Sequence, residues 1–159
     1  MRKKDQPKLW LCLYLPNLAL EVFYPSGPKQ PPNDGLKPIA IIQQQRIEAL
    51  SYHAAATGLR VGTMASHAYA LCENLTCIEK SAAKERRALA QIAQWLYEFT
   101  PNVCPYGDQH LILEVSSSLK LFSGLNHLKY LIEEKTTRLG YTPKLGVSQT
   151  PLAAKISAE

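Results

Sequence analysis

One stretch near the amino terminus restricts the possible folds more than any other. Residues 9–15 read LWLCLYL, an unbroken apolar run between Lys8 and Pro16. The run has the length of a strand, and it lacks the apolar–polar alternation of a strand that faces water on one side. We therefore expect it to be a central strand of a sheet, covered on both faces.

The next segment breaks the chain into two parts. From Tyr24 to Pro38 the sequence reads YPSGPKQPPNDGLKP, and its proline and glycine residues prevent a helix or strand from persisting. We expect a surface loop there. Short elements follow it, namely two strands, a helix and a third strand, at Ile39–Gln44, Arg46–Tyr52, Ala65–Asn74 and Thr76–Glu79. They are interpreted as a small lobe inserted between two parts of a larger sheet.

The second half of the chain alternates helices with strands. Apolar residues at helical spacing predict one helix that begins after Ser81 and ends before Pro101. A second set with the same spacing predicts a helix that ends at Gly140. Strands are expected at His110–Ser116 and Lys144–Ser148, and Thr150 with Pro151 opens a last helix. The order predicts an α+β domain whose sheet carries helices on one face and leaves the other face available.

Composition narrows the class of protein. The 159 residues are 46% hydrophobic and carry a net charge of +5, which excludes a disordered chain and is compatible with a nucleic-acid partner. No apolar run approaches the roughly 18 residues of a membrane span, and the amino terminus does not resemble a signal peptide. The four cysteines include no CxxC pair. We expect reduced thiols and a cytoplasmic location.

Four segments, in order, carry a resemblance to a known family: YHAAATGLRVGTM (52–64), HAYALCENL (67–75), HLILEVSSSLKLFSG (110–124) and LGVSQTPLAAKISAE (145–159). They resemble the palm and fingers of Y-family translesion DNA polymerases of the UmuC/DinB type, most closely the ImuB branch. The resemblance implies a ferredoxin-like βαββαβ palm at 1–16 and 82–159, with fingers at 17–81. It also implies that thumb and little-finger domains follow Glu159 in the natural chain. The last helix, which opens only nine residues before that end, gives the same expectation.

Catalysis in this family requires carboxylates on two strands that hold two Mg²⁺ ions. The positions that match them here are not acidic: they are Tyr14 and Pro16, or Leu13 and Leu15 if the first strand is shifted by one residue, with Gln109 and His110 on the later strand. We therefore expect neither a metal site nor a cofactor, and no polymerase activity. The exchange also leaves the open face of the sheet less charged, as either a partner surface or a blocked cleft.

The nucleotide-binding positions of the family are only partly kept. Active members place a tyrosine and, three residues later, an arginine against the triphosphate; here Tyr52 is present, but Ala55 replaces the arginine and its bidentate phosphate contact. Tyr52 is equally compatible with a half-buried aromatic at a strand-to-helix junction. Lys155 matches a lysine of the family's last palm helix and is expected to approach phosphate or DNA.

The resemblance implies an accessory role in SOS mutagenesis, in which a non-catalytic scaffold at damaged DNA joins the sliding clamp, a RecA-like protein and an error-prone C-family polymerase. Such a protein is bacterial, cytoplasmic and nucleoid-associated. Two alternatives stay open. One is an active nucleotidyltransferase that uses Mg²⁺ and displaced acids, Asp108 and Glu114. The other is a ferredoxin-like protein- or ligand-binding domain without a role on DNA.

Overall fold

The computed structural model describes residues 7–24 and 37–159, so most of the predicted loop at 24–38 lies outside the described residues. Along the chain the elements are β1 Trp10–Tyr14, α1 Leu18–Glu21, β2 Ile39–Gln43, β3 Arg46–Leu50, α2 Tyr52–Ala56, α3 Ala65–Leu71, β4 Thr76–Glu79, α4 Ala82–Leu96, β5 Val103–Pro105, β6 His110–Glu114, α5 Leu125–Arg138, β7 Lys144–Ser148 and α6 Pro151–Ala158. The protein is α+β, as the sequence predicts.

The first sheet has the strand order β5-β6-β1-β7, and every neighbouring pair in it is antiparallel. With α4 between β1 and β5, and α5 between β6 and β7, its chain order is βαββαβ. This is the ferredoxin-like arrangement that the family resemblance implies. Among the residues that the structure describes, the three-residue strand β5 pairs with β6 alone. A strand this short gives too weak a pattern to be predicted from the sequence.

The apolar run at 9–15 forms the central strand that its composition predicts. Leu11 and Leu13 are completely buried in the main core, beneath α4 and α5. Between them, Cys12 points to the opposite face and is equally buried. Strand geometry sends successive side chains to opposite faces, so an apolar residue at every position requires cover on both sides.

The sequence predicted that the second face of the sheet would be left available, and in this respect the prediction was wrong. Helix α6 lies across it, and Ala154 packs against Cys12 and Ile112. Gly146 of β7 permits this close approach: a Cβ there would lie 2.2 Å from the Ala154 carbonyl oxygen. The chain turns from β7 into α6 at Thr150, whose hydroxyl caps the helix by accepting from the Ala153 N–H.

The second sheet, of order β3-β2-β4, has its own core. Strands β2 and β3 form a hairpin, whose turn residues Gln44 and Gln45 have positive φ, and β4 runs parallel to β2. This sheet lies between β1 and α4 in the sequence, in the position expected for an inserted lobe. The division into palm and fingers at residues 17 and 81 stays a prediction.

Several element ends differ from those expected from the sequence. Tyr52 begins α2 instead of ending a strand, because the Ser51 hydroxyl caps the helix by accepting from the Ala54 N–H. The apolar spacing that ends at Gly140 begins at Leu121 in the sequence, but helix α5 begins only after Gly124, whose φ of 104° breaks the preceding turns. Among the described residues, no helix has the length and apolar character needed to cross a membrane.

Candidate functional site

The positions that the resemblance aligns with the family's metal-binding residues meet at one end of the first sheet. Tyr14 ends β1, His110 begins β6, and the two are directly opposed in the β1–β6 register. Their rings stack, with centroids 4.5 Å apart and planes 8° apart. His110 is 7% exposed and Tyr14 is half-buried. An aromatic pair therefore occupies the place where the resemblance implies carboxylates.

Strand alternation separates the two possible alignments of β1. Tyr14 lies on the face covered by α6, whereas Leu13 and Leu15 are fully buried in the main core on the other face. A carboxylate at either leucine position would be buried among apolar side chains without a partner. The alignment through Tyr14 and Pro16 instead puts Tyr14 on the same side of the sheet as His110, and the choice between the two alignments stays a prediction.

The chain after β1 is fixed at the same end of the sheet. The Leu15 N–H donates to the Gln109 carbonyl oxygen at 3.0 Å, which holds the residues that follow β1 beside the start of β6. Pro16 and Gln109 are both half-buried there. All four expected positions therefore come together, although none of them supplies a carboxylate.

Three charged residues complete this group, which we call the Tyr14–His110 cluster: Tyr14, His110, Lys144, Lys155 and Glu159. Glu159 Oε1 lies 2.8 Å from Lys155 Nζ and 3.2 Å from His110 Nε2. Lys144 Nζ donates to the Glu159 backbone oxygen at 3.2 Å and lies 5.7 Å from the centroid of the Tyr14 ring. The side-chain carboxylate of Glu159 thus lies beside Lys155 and His110, whereas Lys144 contacts its backbone oxygen.

The surroundings of each group set its charge. Burial lowers the pKa of His110, Lys155 lowers it further, and Glu159 opposes both effects. The hydrogen bond between Lys155 and Glu159 raises the pKa of the lysine and lowers that of the carboxyl. Beneath them, burial raises the pKa of Cys12 to about 11. At neutral pH the His110 imidazole is therefore neutral, Lys155 is a cation and Glu159 is an anion, and the Cys12 thiol beneath the cluster is neutral.

The family's Mg²⁺ ions do not fit this set of donors. Magnesium prefers six oxygen ligands, several of them from carboxylates or water. The cluster offers one carboxylate, already engaged by Lys155, beside a second ammonium group and a stacked imidazole. Within residues 7–24 and 37–159, no group of three or more His, Cys, Asp or Glu residues is placed to hold a metal.

The displaced acids of the alternative hypothesis do not converge. Asp108 is exposed in the turn before β6, whereas Glu114 is the last residue of that strand. The Glu114 carboxylate accepts a hydrogen bond from the Ser116 N–H at 2.9 Å, so its partner lies only two residues away in the chain. The structure therefore places these two acids at opposite ends of β6.

Tyr52, the predicted nucleotide contact, lies directly after β3 of the second sheet, away from the Tyr14–His110 cluster in the sequence. Tyr52 is the first residue of α2, is 75% exposed, and meets His53 edge-on with the ring centroids 5.8 Å apart. Ala55 is exposed on the same short helix. Of the two predicted binding residues, Tyr52 and Lys155, it is Lys155 that belongs to the Tyr14–His110 cluster.

Two residues of the cluster, Lys144 and Glu159, were not expected from the sequence. Lys144 is opposite Tyr14 in the β1–β7 register, and a register of this kind is not visible before the strands are paired. Glu159 lies four residues after Lys155, a spacing at which opposite charges meet on a helix, so that signal was present in the sequence.

Comparison with known proteins identifies relatives of this chain. The family model described as impB/mucB/samB matches residues 34–159. The DNA polymerase IV of Exiguobacterium sibiricum is 28% identical over 113 residues, which are 70% of this chain and 31% of the relative. Protein ImuB of Caulobacter vibrioides is 28% identical over 97 residues, which are 61% of this chain and 21% of the relative.

Solved structures show the same fold. A Dbh ternary complex matches 93% of this chain and 44% of the Dbh chain, with a TM-score of 0.71 and 15% identity. A post-insertion binary complex of Dbh DNA polymerase has a TM-score of 0.72 at 16% identity, with the same coverage. The chain thus spans less than half the length of the relatives that it matches. Because the family model covers most of its residues, the chain belongs to the impB/mucB/samB family, within the Y-family DNA polymerases and their polymerase-like relatives.

Proposed function

We propose that this chain is part of a non-catalytic Y-family protein, one that binds DNA at sites of damage and serves there as a scaffold. The observation that carries the proposal is the stack of Tyr14 on His110 at the end of the sheet where the family's acids are expected. Two opposed strands present rings at that point, where a polymerase requires carboxylates.

The chemistry of nucleotide transfer supports this proposal. Two metal ions normally hold the triphosphate and activate the primer oxygen, and carboxylates balance the charge of those ions. In the Tyr14–His110 cluster the charge near the same place comes from Lys144 and Lys155. Ammonium groups repel divalent cations, and an ammonium group cannot lower the pKa of a bound hydroxyl as a coordinated metal does.

The DNA and protein partners are proposed from the family. The relatives are named as DNA polymerase IV and ImuB, and the Dbh structures are described as polymerase complexes. We propose that this chain contributes to primer-template binding, and that its natural partners are the sliding clamp, a RecA-like protein and an error-prone C-family polymerase in the bacterial cytoplasm. In the same proposal, residues 1–16 and 82–159 act as the palm and residues 17–81 as the fingers.

The test combines primer extension with a gel shift on the same primer-template, using the protein at its natural length. Extension is measured with Mg²⁺ and then with Mn²⁺, beside Exiguobacterium sibiricum DNA polymerase IV as the positive control. We expect a shifted band that weakens as salt is raised, with no extension by this protein. Absence of the shift at low salt would favour a binding domain without a DNA role.

An active enzyme would give a different pattern. Extension that is abolished by Asp108→Ala but kept by His110→Gln would show that a displaced carboxylate holds the metal, and it would overturn the proposal. Glu133→Ala, an exposed acid on α5, serves as the matched control for the loss of one negative charge.

A further inference from the structure

We propose that a groove on the outer surface of the helical layer, which α4 and α5 form, docks an acidic peptide segment of a partner protein through one apolar anchor side chain. This groove, which we call the Trp95–Tyr141 groove, has a volume of about 350 Å³ and is lined by Gln91, Ile92, Gln94, Trp95, Leu139 and Tyr141. The docking role goes beyond the proposed function, because the helical layer covers the face of the first sheet opposite to the Tyr14–His110 cluster.

Trp95 is a large exposed aromatic residue whose position is fixed by its neighbours. It lies near the end of α4 and is 44% exposed. Lys135 of α5 places its Nζ 4.6 Å from the centroid of the Trp95 ring, and the same ammonium group pairs with Glu98. A tryptophan held in this way offers apolar contact area to a partner at little cost in conformational entropy.

Tyr141 supplies the second ring of the groove, and the end of α5 fixes its place. Gly140, with a φ of 90°, ends the helix, and the Tyr141 N–H donates to the Thr136 carbonyl oxygen at 3.3 Å. This hydrogen bond is typical of a Schellman cap. The chain is also held on the other side of Tyr141, since the Thr142 N–H donates to the buried Glu21 carboxylate at 3.1 Å. Both rings are therefore in place before a ligand binds.

The groove combines an apolar floor with polar side chains at its edge. Ile92 is almost completely buried and Leu139 packs against the main core, whereas Gln91 and Gln94 are exposed. Amide side chains can both donate to and accept from a peptide backbone. Ligand pockets have volumes of roughly 300–1,000 Å³, so this groove is at the lower end of that range. It suits one anchor side chain of a peptide better than a larger ligand.

Positive charge lies beyond one end of the groove. On α4, Arg87 precedes Gln91 by four residues and Lys84 precedes Arg87 by three, so the three side chains lie on the same side of the helix. Arg87 and Lys84 are exposed, and in the described part of the chain neither of them forms an ion pair. Lys84 Nζ lies over the ring of Phe23, at 4.3 Å from its centroid.

The stability of α4 does not explain these cations. Lys84 lies in the first turn, where a positive side chain opposes the helix dipole. At the other end of the groove, Glu98 is already paired with Lys135. The charge pattern therefore fits a peptide whose acidic residues lie along the first two turns of α4 and whose apolar side chain enters the groove.

Single-stranded nucleic acid is the main competing ligand, because it also combines negative charge with groups that stack on aromatic rings. The groove favours a peptide. Lys135 lies over the Trp95 ring, and the floor of the groove is formed by the aliphatic side chains of Ile92 and Leu139. An apolar side chain can fill such a concave surface, whereas a base stacks best on an open ring face.

The experiment measures the fluorescence anisotropy of labelled synthetic peptides with the protein at its natural length. One peptide is a run of aspartates followed by a phenylalanine, and a second has the same residues in reverse order. Matched peptides replace the phenylalanine with serine or the aspartates with asparagine. We expect at least one acidic phenylalanine peptide to bind, and we expect either replacement to weaken its binding about tenfold. Added salt should also weaken it.

Variants locate the binding. Arg87→Glu and Gln91→Glu should each weaken peptide binding about tenfold, because each places a negative charge beside the acidic residues of the peptide. Trp95→Ala should weaken it about tenfold or more. Arg60→Glu is the control for charge reversal: Arg60 is exposed and follows α2, and its effect should stay within about twofold. Urea denaturation checks that each variant is folded, and the two exposed changes on α4 keep the test valid if Trp95→Ala does not fold.

Several results would overturn the inference. They are the absence of binding by both acidic phenylalanine peptides, and equal effects of Arg60→Glu and Arg87→Glu. Displacement of the bound peptide by a single-stranded oligonucleotide would assign the groove to nucleic acid instead. A dimer in sedimentation that Trp95→Ala dissociates would assign it to a second copy of this chain.

The proposed function fails by different readouts, namely primer extension and the gel shift on primer-template. A protein that binds DNA without extending the primer, and that binds neither peptide, would retain the scaffold proposal and lose only the docking groove. Peptide binding by a protein that extends a primer would have the opposite meaning.

Discussion

The ring of Tyr14 lies parallel to the imidazole of His110, at a centroid separation of 4.5 Å, across the antiparallel pair β1 and β6. Aromatic pairs of this kind stabilise a fold by about 0.5–1.5 kcal/mol beyond their burial. Two carboxylates at the same positions would repel each other unless cations lay between them. Because the stacked rings do not repel each other, β1 and β6 can pair as far as this end of the sheet without a bound metal ion.

The titration of His110 tests how the cluster is built. Burial, followed by Lys155, lowers its pKa, so NMR should give a midpoint below the ordinary value of about 6.5. Lys155→Met should raise the midpoint, because it removes a positive charge, and Glu159→Gln should lower it further. His110→Gln assigns the resonance, and Lys120→Met should leave the midpoint unchanged. A native midpoint above the ordinary value would contradict this description.

The same shift has a consequence for stability. Because the pKa of His110 is lower in the folded protein, the unfolded chain binds more protons once the pH falls below about 6.5. The contribution of His110 to the free energy of unfolding should thus be present above that pH and be lost as the pH falls through the folded value. In His110→Gln this part of the pH dependence should be absent.

Gly146 controls how closely α6 approaches the sheet. An added Cβ would lie 2.2 Å from the Ala154 carbonyl oxygen and 2.4 Å from the Ala158 nitrogen, both of them backbone atoms that cannot rotate away. Gly146→Ala should therefore lower the free energy of unfolding by about 2 kcal/mol or more, as measured by urea denaturation. Ser157→Ala, an exposed change on α6, should stay within about 0.5 kcal/mol. Equal effects would mean that α6 does not rest on β7.

Glu21 connects α1 to the segment that precedes β7. The buried carboxylate accepts from the Thr142 N–H at 3.1 Å and from its hydroxyl at 2.5 Å. Burial raises the pKa of Glu21, and the hydrogen bonds from Thr142 oppose the shift. Glu21→Ala should lower the free energy of unfolding by about 2 kcal/mol, because it leaves the Thr142 donors without this acceptor.

Glu21→Gln keeps an acceptor oxygen and should cost less than Glu21→Ala in the same denaturation measurement. Glu133→Ala, at an exposed position of α5, is the control for the loss of a glutamate. If Glu21→Ala were no more destabilising than Glu133→Ala, the contact with Thr142 would not contribute to stability.

The cysteines should differ sharply in reactivity. Cys104 is exposed on β5, whereas Cys12 is buried beneath α6 with its pKa raised to about 11 by that burial. Because the thiolate is the reactive form, iodoacetamide at neutral pH should modify Cys104 first and Cys12 only after unfolding. Mass spectrometry of the native and the urea-treated protein measures both rates. Equal rates in the native protein would show that α6 does not cover Cys12.

The sequence predicted the parts of the fold that local patterns determine. The apolar run at 9–15 required a covered strand, and the spacing of Leu89, Ile92 and Leu96 required an amphipathic helix. Local patterns did not show that α6 folds back over the sheet. That contact depends on the missing side chain of Gly146, whose partner Ala154 becomes apparent only when β7 and α6 are adjacent in space.

Less of the candidate site could be read from the sequence. The family resemblance led us to expect Tyr14 and His110 at the positions of the family's acids, which stays a prediction, and it could not show that their rings stack. Stacking depends on the register of β1 against β6, which pairs residues far apart in the chain. Lys144 reaches the cluster through a second long-range register, opposite Tyr14 on β7.

Aspartate substitutions on β1 test which strand positions could ever have held metal ligands. Leu13 is fully buried in the main core, so Leu13→Asp should cost about 4 kcal/mol or more, or prevent folding, because the carboxylate has no partner there. Tyr14→Asp should cost only about 1 kcal/mol, since it loses the stack on His110 but places an anion near Lys144. Circular dichroism during urea denaturation measures both variants. Equal losses, or a greater loss in Tyr14→Asp, would contradict the assignment of the Tyr14 face as the site. The expected order would mean that only alternate positions of this strand, those facing α6, are open to charged ligands.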